Sequence, residues 1–330
     1  MEHEHHHPHQ HEHQHVSANP ANPSGPIGNE GLFLSYNYLG SYLLCLALWW
    51  WIQALKQCYS KLAKNPINEK YTASISYGLC HYKRIHIHEG FVKLICCIIG
   101  LIVEWFTLKY GRHHEYAQFP FYTAFLTAAL LDLCIGTIII APPKGFDYIM
   151  HALPFFIHGY CLRAQSYDQP PLTETCRLLI SYWAVITGLS ILCEMLFNQS
   201  LIWTCIKCFS VQLHATWICQ VGYLLNSPFT PVEKLWKEDD HAAVMYTVII
   251  FVWHMFFNMI VLFGLLILVA KYYGVSPDWM NSAMDSSTIR RTTVASHKYD
   301  RPVLNKSNIG HSSFDNIEYT QLLNNTDYVE

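Results

Sequence analysis

Seven stretches of this chain stay apolar over a length that constrains what it can fold into more than any other feature. They run from Leu34 to Leu55, His86 to Leu108, Phe119 to Ala141, Phe146 to Gln165, Leu172 to Phe197, Leu201 to Leu225 and Ala242 to Ala270. Each is near or above the ~20 residues a helix needs to cross the hydrocarbon core of a bilayer. In lipid the backbone polar groups of such a segment must be satisfied internally, which a helix does. Pro142-Pro143, Pro170-Pro171 and the segment from Pro228 to Pro231 fall between the stretches, where proline ends helices without breaking one. The expected fold is all-α: a polytopic seven-helix transmembrane bundle over residues 31–270.

With 52% hydrophobic and only 14% charged residues, the chain has too little charge for a soluble surface. A net charge of −3 supplies no concentrated excess of Lys and Arg for a phosphate backbone, so the expected partner is the lipid bilayer and not nucleic acid. Most of the twelve cysteines lie in apolar runs, where a thiol packs as a small apolar group. Cys205 and Cys208 form a C-x-x-C, but without a βαβ context or a second pair to suggest redox or zinc use.

Residues 1–30 and 271–330 are polar and are expected to be disordered tails. No Lys or Arg precedes Lys56, whereas Lys56, Lys61, Lys64, Lys70, Lys83 and Arg84 crowd the first loop. Seven spans put the C-terminal tail, with Lys271, Arg290, Arg291, Lys298, Arg301 and Lys306, on that same side. The positive-inside rule then places the N-terminus outside or in a lumen and the C-terminus in the cytosol. The first span is expected to insert as an uncleaved anchor, leaving the sequons at Asn305 and Asn324 bare.

A charged residue at the centre of a membrane helix costs about 2.5–3.5 kcal/mol on insertion scales, so those inside the spans need partners or a role. On the second span His86, Glu89, Gly90, Lys93, Cys97, Gly100 and Glu104 share one face. Glu89 and Lys93 are spaced for an intrahelical pair near a membrane surface, within reach of water. The third span carries Asp132, and the fifth aligns Trp183, Thr187, Ser190 and Glu194. The fourth has His151 and His158; the seventh aligns Asp240, Thr247, His254 and Asn258. In the sixth, Cys205, Cys208, Gln212, Thr216 and Gln220 form a stripe that leaves His214 on the opposite side, as the weaker candidate. In a compact bundle Glu104, Asp132, His158 and His254 are expected to converge near mid-depth. Carboxylate with imidazole suits Zn2+, and equally suits a proton relay.

The order LGSYLLCLALWW, IHEG with Glu104 fifteen residues after its Glu89, LLDLC, QPPL, LCEMLF, ATWICQVGY, the Asp239-Asp240 pair and Trp253-His254 resembles the transmembrane protein 45 family over about residues 31–270. The resemblance implies a seven-helix protein of poorly defined activity in Golgi, endosomal and surface membranes. Its matching positions are Glu89, Glu104, Asp132, Glu194, Thr216, Trp217, Gln220, Gly222, Asp239, Asp240 and His254. His158 stands where the family usually has an acid, and His214-Ala215 where it has Gln-Gly.

Three functions fit these residues. The first is a metal- or proton-coupled channel, carrier or sensor; the second an intramembrane zinc-dependent lipid hydrolase with Glu104 as base; the third a non-enzymatic trafficking or scaffold protein. The third span ends in APPKG without an Asp-Arg-Tyr-type motif and the seventh lacks Asn-Pro-x-x-Tyr, which disfavours a G-protein-coupled receptor. Lys271 lies at the end of the last span and not within it, which disfavours a retinal protein. In the C-terminal tail, Glu318, Tyr319, Leu322 and Leu323 fit an acidic dileucine and a tyrosine-based sorting signal, both read by clathrin adaptors. In the N-terminal tail, His5, His6, His7, His9, His11, His13 and His15 form a weak, flexible metal-binding brush.

Overall fold

The computed structural model of the protein describes residues 26–64, 71–76, 85–110, 118–137, 142–226 and 240–274. Among them are seven helices and no strand: α1 (Pro26–Lys64), α2 (Ile85–Tyr110), α3 (Gln118–Gly136), α4 (Phe146–Gln165), α5 (Pro171–Leu196), α6 (Leu201–Asn226) and α7 (His241–Tyr272). The histidine-rich head, Asp239, both sequons and the sorting motif lie outside the described residues. Helix α1 is longer than expected, starting at Pro26 and continuing past Leu55 to Lys64. At 1.5 Å per residue its 39 residues reach about 58 Å, nearly twice a hydrocarbon core.

By length and hydropathy five helices qualify as membrane spans: α1, α2, α3, α5 and α7. Helices α4 and α6 do not, and they hold His151, His158, Lys207 and His214, all essentially buried. Their lengths of 20 and 26 residues still correspond to about 30 and 39 Å. These four side chains face the inside of the bundle, which is where polar groups of membrane helices belong.

Neighbouring helices pack in chain order from α1 to α6, and α6 returns to α1, closing the bundle. Helix α7 leans on α1, α5 and α6, with much of its surface, including Phe256, Phe257, Ile260, Phe263 and Leu268, exposed to the surroundings. The α1–α6 seam needs two glycines: a Cβ at Gly40 would meet the Ala215 carbonyl at 2.7 Å, and one at Gly222 the Tyr36 Cβ at 2.6 Å. Small residues of this kind let membrane helices approach closely. Across α4 and α5, the Ser181 hydroxyl donates to the Gly159 carbonyl at 2.7 Å.

Candidate functional site: three polar layers

Helix α3 serves as a ruler for depth. Its buried face carries Gln118, Phe121, Phe125 and Asp132, at helical spacing. Gln118 and Asp132 are fourteen residues apart, so their levels differ by about 21 Å.

At the Gln118 level the Ser35 hydroxyl of α1 bridges the Glu104 carboxyl of α2 and the Gln118 side chain. Glu104 is therefore at the opposite end of the bundle from Asp132, and the expected convergence at mid-depth does not occur. The reason is connectivity: α2 and α3 are antiparallel, so a residue late in α2 faces the start of α3.

At the Asp132 end the side chains gather around Lys93. Its Nζ lies 2.8 Å from Glu89 Oε1, 2.9 Å from Asp132 Oδ2, 3.0 Å from His151 Nε2 and 3.4 Å from Ser76 Oγ. The intrahelical Glu89–Lys93 pair is present, but it does not reach water: the two side chains are 4% and 1% exposed. What covers it is the segment 71–76 between α1 and α2, which enters the bundle. There the Tyr71 hydroxyl meets Thr204 Oγ1, the Ala73 N–H donates to the Asn198 carbonyl and the Ser76 hydroxyl donates to Asp132. Trp50 of α1 adds a donor, its indole N–H bonding Glu89 Oε1 at 2.9 Å.

A second ion pair, Glu194 of α5 with Lys207 of α6, is fully buried at 2.6 Å. Lys207 also lies 3.4 Å from the Ser74 carbonyl. The two ammonium groups both approach Trp50, 5.4 Å (Lys93) and 5.0 Å (Lys207) from its ring centroid, so the indole lies close to both ion pairs. Removing one member of a buried pair typically costs about 3–5 kcal/mol.

The protons in this network can be counted. A lysine ammonium has three donors and no acceptor. His151 Nδ1 lies 2.8 Å from the Asp147 carbonyl, which only accepts, so Nδ1 carries hydrogen. In one state His151 Nε2 is a bare acceptor for Lys93, and the four groups Glu89, Asp132, Lys93 and His151 sum to one negative charge. In the other, Nε2 is protonated and donates to Asp132 Oδ2, 3.3 Å away, and the four sum to zero. Lys93 then turns its third N–H to Ser76. The two states differ by one proton, and in the second the Lys93 ammonium and the protonated ring are both donors, so their 3.0 Å contact opens.

Between the two ends, at the level of Phe121, His158 of α4 meets His214 of α6. His158 Nδ1 and His214 Nε2 are 3.3 Å apart, the rings are nearly perpendicular, and both residues are at most 1% exposed. Phe121 packs on His158 at 5.2 Å between centroids and Phe155 on His214 at 5.7 Å. Among the described residues, the outer nitrogens His158 Nε2 and His214 Nδ1 have no hydrogen-bond partner. One hydrogen bond returns about 0.5–1.5 kcal/mol and each buried unpaired polar group costs about 1–3 kcal/mol, so the dyad is a net expense to the fold.

The other sequence-derived positions hold structural places. His254 is half-buried at the α6–α7 contact, its ring 5.7 Å from that of Trp217, while its carbonyl accepts from Asn258. Asn258 also donates to the Thr216 hydroxyl at 2.9 Å, Gln220 is half-buried on α6, and Asp240 caps α7 by accepting from the Ala242 N–H. Glu104, Asp132, His158 and His254 thus occupy four different neighbourhoods. Among the described residues no three His, Cys, Asp or Glu side chains are grouped to hold a metal ion; in the acidic cluster the Lys93 ammonium takes the central position.

Lys207, Ser76 and Trp50 do not belong to the site expected from the sequence, and neither do His151 and His214. For Lys207 a signal existed: residues 197–200 are a short connection between α5 and α6, so an acid just before it and a lysine soon after it are brought to similar depth. His214 was set aside because it faces away from the α6 polar stripe, yet that face meets α4.

Residues 144–267, from the start of α4 to the last turns of α7, match a protein family described as a family of unknown function (DUF716). The match spans His151, His158, Glu194, Lys207, His214 and His254, whereas Glu89, Lys93, Glu104 and Asp132 lie ahead of it.

Proposed function

We propose that this chain is a multi-pass membrane protein of the transmembrane protein 45 kind, a group that falls within the matched family, and that it handles protons through the Lys93 network. The protein acts as a proton-responsive carrier, channel or sensor in Golgi, endosomal, lysosomal or surface membranes, with its histidine-rich head outside or in the lumen and its C-terminus in the cytosol. The single observation that carries this reading is the position of His151 Nε2, buried between the Lys93 ammonium at 3.0 Å and the Asp132 carboxylate at 3.3 Å. An imidazole in that position can take or release a proton, with Lys93 turning from the ring to Ser76 when Nε2 is protonated. Histidine suits this role because its ring can carry hydrogen on one nitrogen or on both.

The test is nitrogen-15 NMR of histidine-labelled full-length protein in nanodiscs, with His151 assigned by its loss in His151→Gln. The expected result is a His151 ring found in two forms, one neutral with hydrogen on Nδ1 and one an imidazolium. A ring found in one neutral form alone, or in one charged form alone, would remove the proposal.

A further inference from the structure

We propose that His158 and His214 are a proton relay at the centre of the bundle, passing a proton between the Glu104 end and the Asp132–His151 end. This deepens the proton-handling reading and rests on it. The geometry is that of a two-ring wire. Two neutral imidazoles share one hydrogen between His158 Nδ1 and His214 Nε2, and each ring keeps its other nitrogen unpartnered. If His158 donates to His214, then His158 Nε2 offers a bare lone pair and His214 Nδ1 an unused N–H. The dyad therefore has one free acceptor end and one free donor end, and the mirror tautomer exchanges them.

The transfer step balances. A proton supplied by water binds the His158 Nε2 lone pair, forming an N–H there. The N–H at His158 Nδ1 breaks as its proton moves to His214 Nε2. The N–H at His214 Nδ1 then breaks, releasing a proton to water on the far side. One proton has entered and one has left, both rings are neutral again, and no electrons have moved. The pair now stands in the mirror tautomer, ready for the return transfer, and rotation of the two rings resets it for another forward one.

The surroundings fit a relay better than a packing contact. Phe121 and Phe155 cover the ring faces, and among the described residues no charged side chain touches either imidazole. A position that only had to be filled would be served by Leu or Phe, with no unpaired nitrogen. Position along the bundle fits as well. On the α3 ruler Phe121, beside His158, lies one turn from Gln118 of the Glu104 layer, and Phe125, beside His151, lies one turn further on.

The experiment reconstitutes the full-length protein in liposomes holding a pH-sensitive dye, with a potassium gradient and valinomycin driving protons in either direction. Wild type is compared with His158→Gln, His214→Gln and, as a control outside the dyad, His254→Gln. Glutamine keeps a polar group in place but cannot exchange a proton. The expected result is wild-type flux above protein-free vesicles, a fall of about tenfold or more in each dyad variant, and a wild-type rate in the control. Flux no greater than in empty vesicles, or folded dyad variants that conduct like wild type, would overturn the relay. Should the variants fail to fold, nitrogen-15 NMR of the wild type decides: both tautomers of His158 and His214 are expected in exchange, and a single fixed tautomer counts against the proposal. Failure here is separable from failure of the His151 reading, because the form of the His151 ring is read in its own signal and needs no flux.

Discussion

The Lys93 end and the His158–His214 layer lie within the same bundle and are buried to the same degree, yet they are built differently. Around Lys93, every charged group has an opposite charge within 3 Å and further donors behind it: Trp50 on Glu89, Ser76 on Asp132. In the histidine layer the two rings hydrogen-bond to each other and, among the described residues, to no further side chain. The first arrangement holds five segments of chain together, α1, the 71–76 segment, α2, α3 and α4. The second contributes little to stability, so its presence calls for a role other than holding the fold. Buried polarity is thus of two kinds here, and mutations should separate them.

The largest effect is expected at Lys93. Lys93→Met leaves Glu89 and Asp132 buried without their shared cation and should lose about 3–5 kcal/mol, enough to lower yield sharply. Denaturation in mixed micelles would show it, and a loss below about 1 kcal/mol would mean that water reaches the site.

Next is the Glu194–Lys207 pair. Lys207→Met alone should lose a similar amount, whereas Glu194→Leu combined with Lys207→Met should recover most of it, because a buried pair replaced by apolar residues of similar size is often neutral. A double variant as unstable as the single one would show that Lys207 acts mainly through Ser74 and Trp50.

These contrasts also explain what was legible beforehand. Seven apolar stretches in the sequence correspond to the seven helices, and five of those helices are long and apolar enough to span a bilayer. The proline positions mark the connections: Pro170 precedes α5 and Pro171 opens it. The intrahelical Glu89–Lys93 spacing could be read because both partners sit on one element. Partners on different helices could not, since depth and rotation are set by packing: Asp132 found Lys93 and His151, and Glu104 found Ser35. The 71–76 segment, YTASIS, was invisible for another reason. It is short, polar and aperiodic, and its burial comes from the cavity it fills rather than from any pattern of its own.

That segment yields a smaller prediction. Ser76→Ala removes one hydroxyl that donates to Asp132, which still keeps Lys93 and His151, so about 1 kcal/mol should be lost. A loss nearer that of Lys93→Met would mean that the whole 71–76 segment leaves the bundle when Ser76 is lost, and protease access at Tyr71 to Ser76 would report it.

The smallest expected change comes from erasing the histidine layer altogether. His214→Leu alone strands His158 Nδ1 beside its already unpartnered Nε2 and should lose about 1–3 kcal/mol. Adding His158→Leu removes the last polar atoms of the dyad, and the side chains that replace them suit the cage formed by Phe121 and Phe155. The double variant is therefore expected to match wild type within about 1 kcal/mol, or to exceed it. The same operation at the other end, Lys93→Met with His151→Leu, leaves two bare carboxylates and cannot recover. If the dyad double variant is instead several kcal/mol less stable than either single one, the two layers are of one kind, and the rings hold the bundle together through contacts that no hydrocarbon replaces.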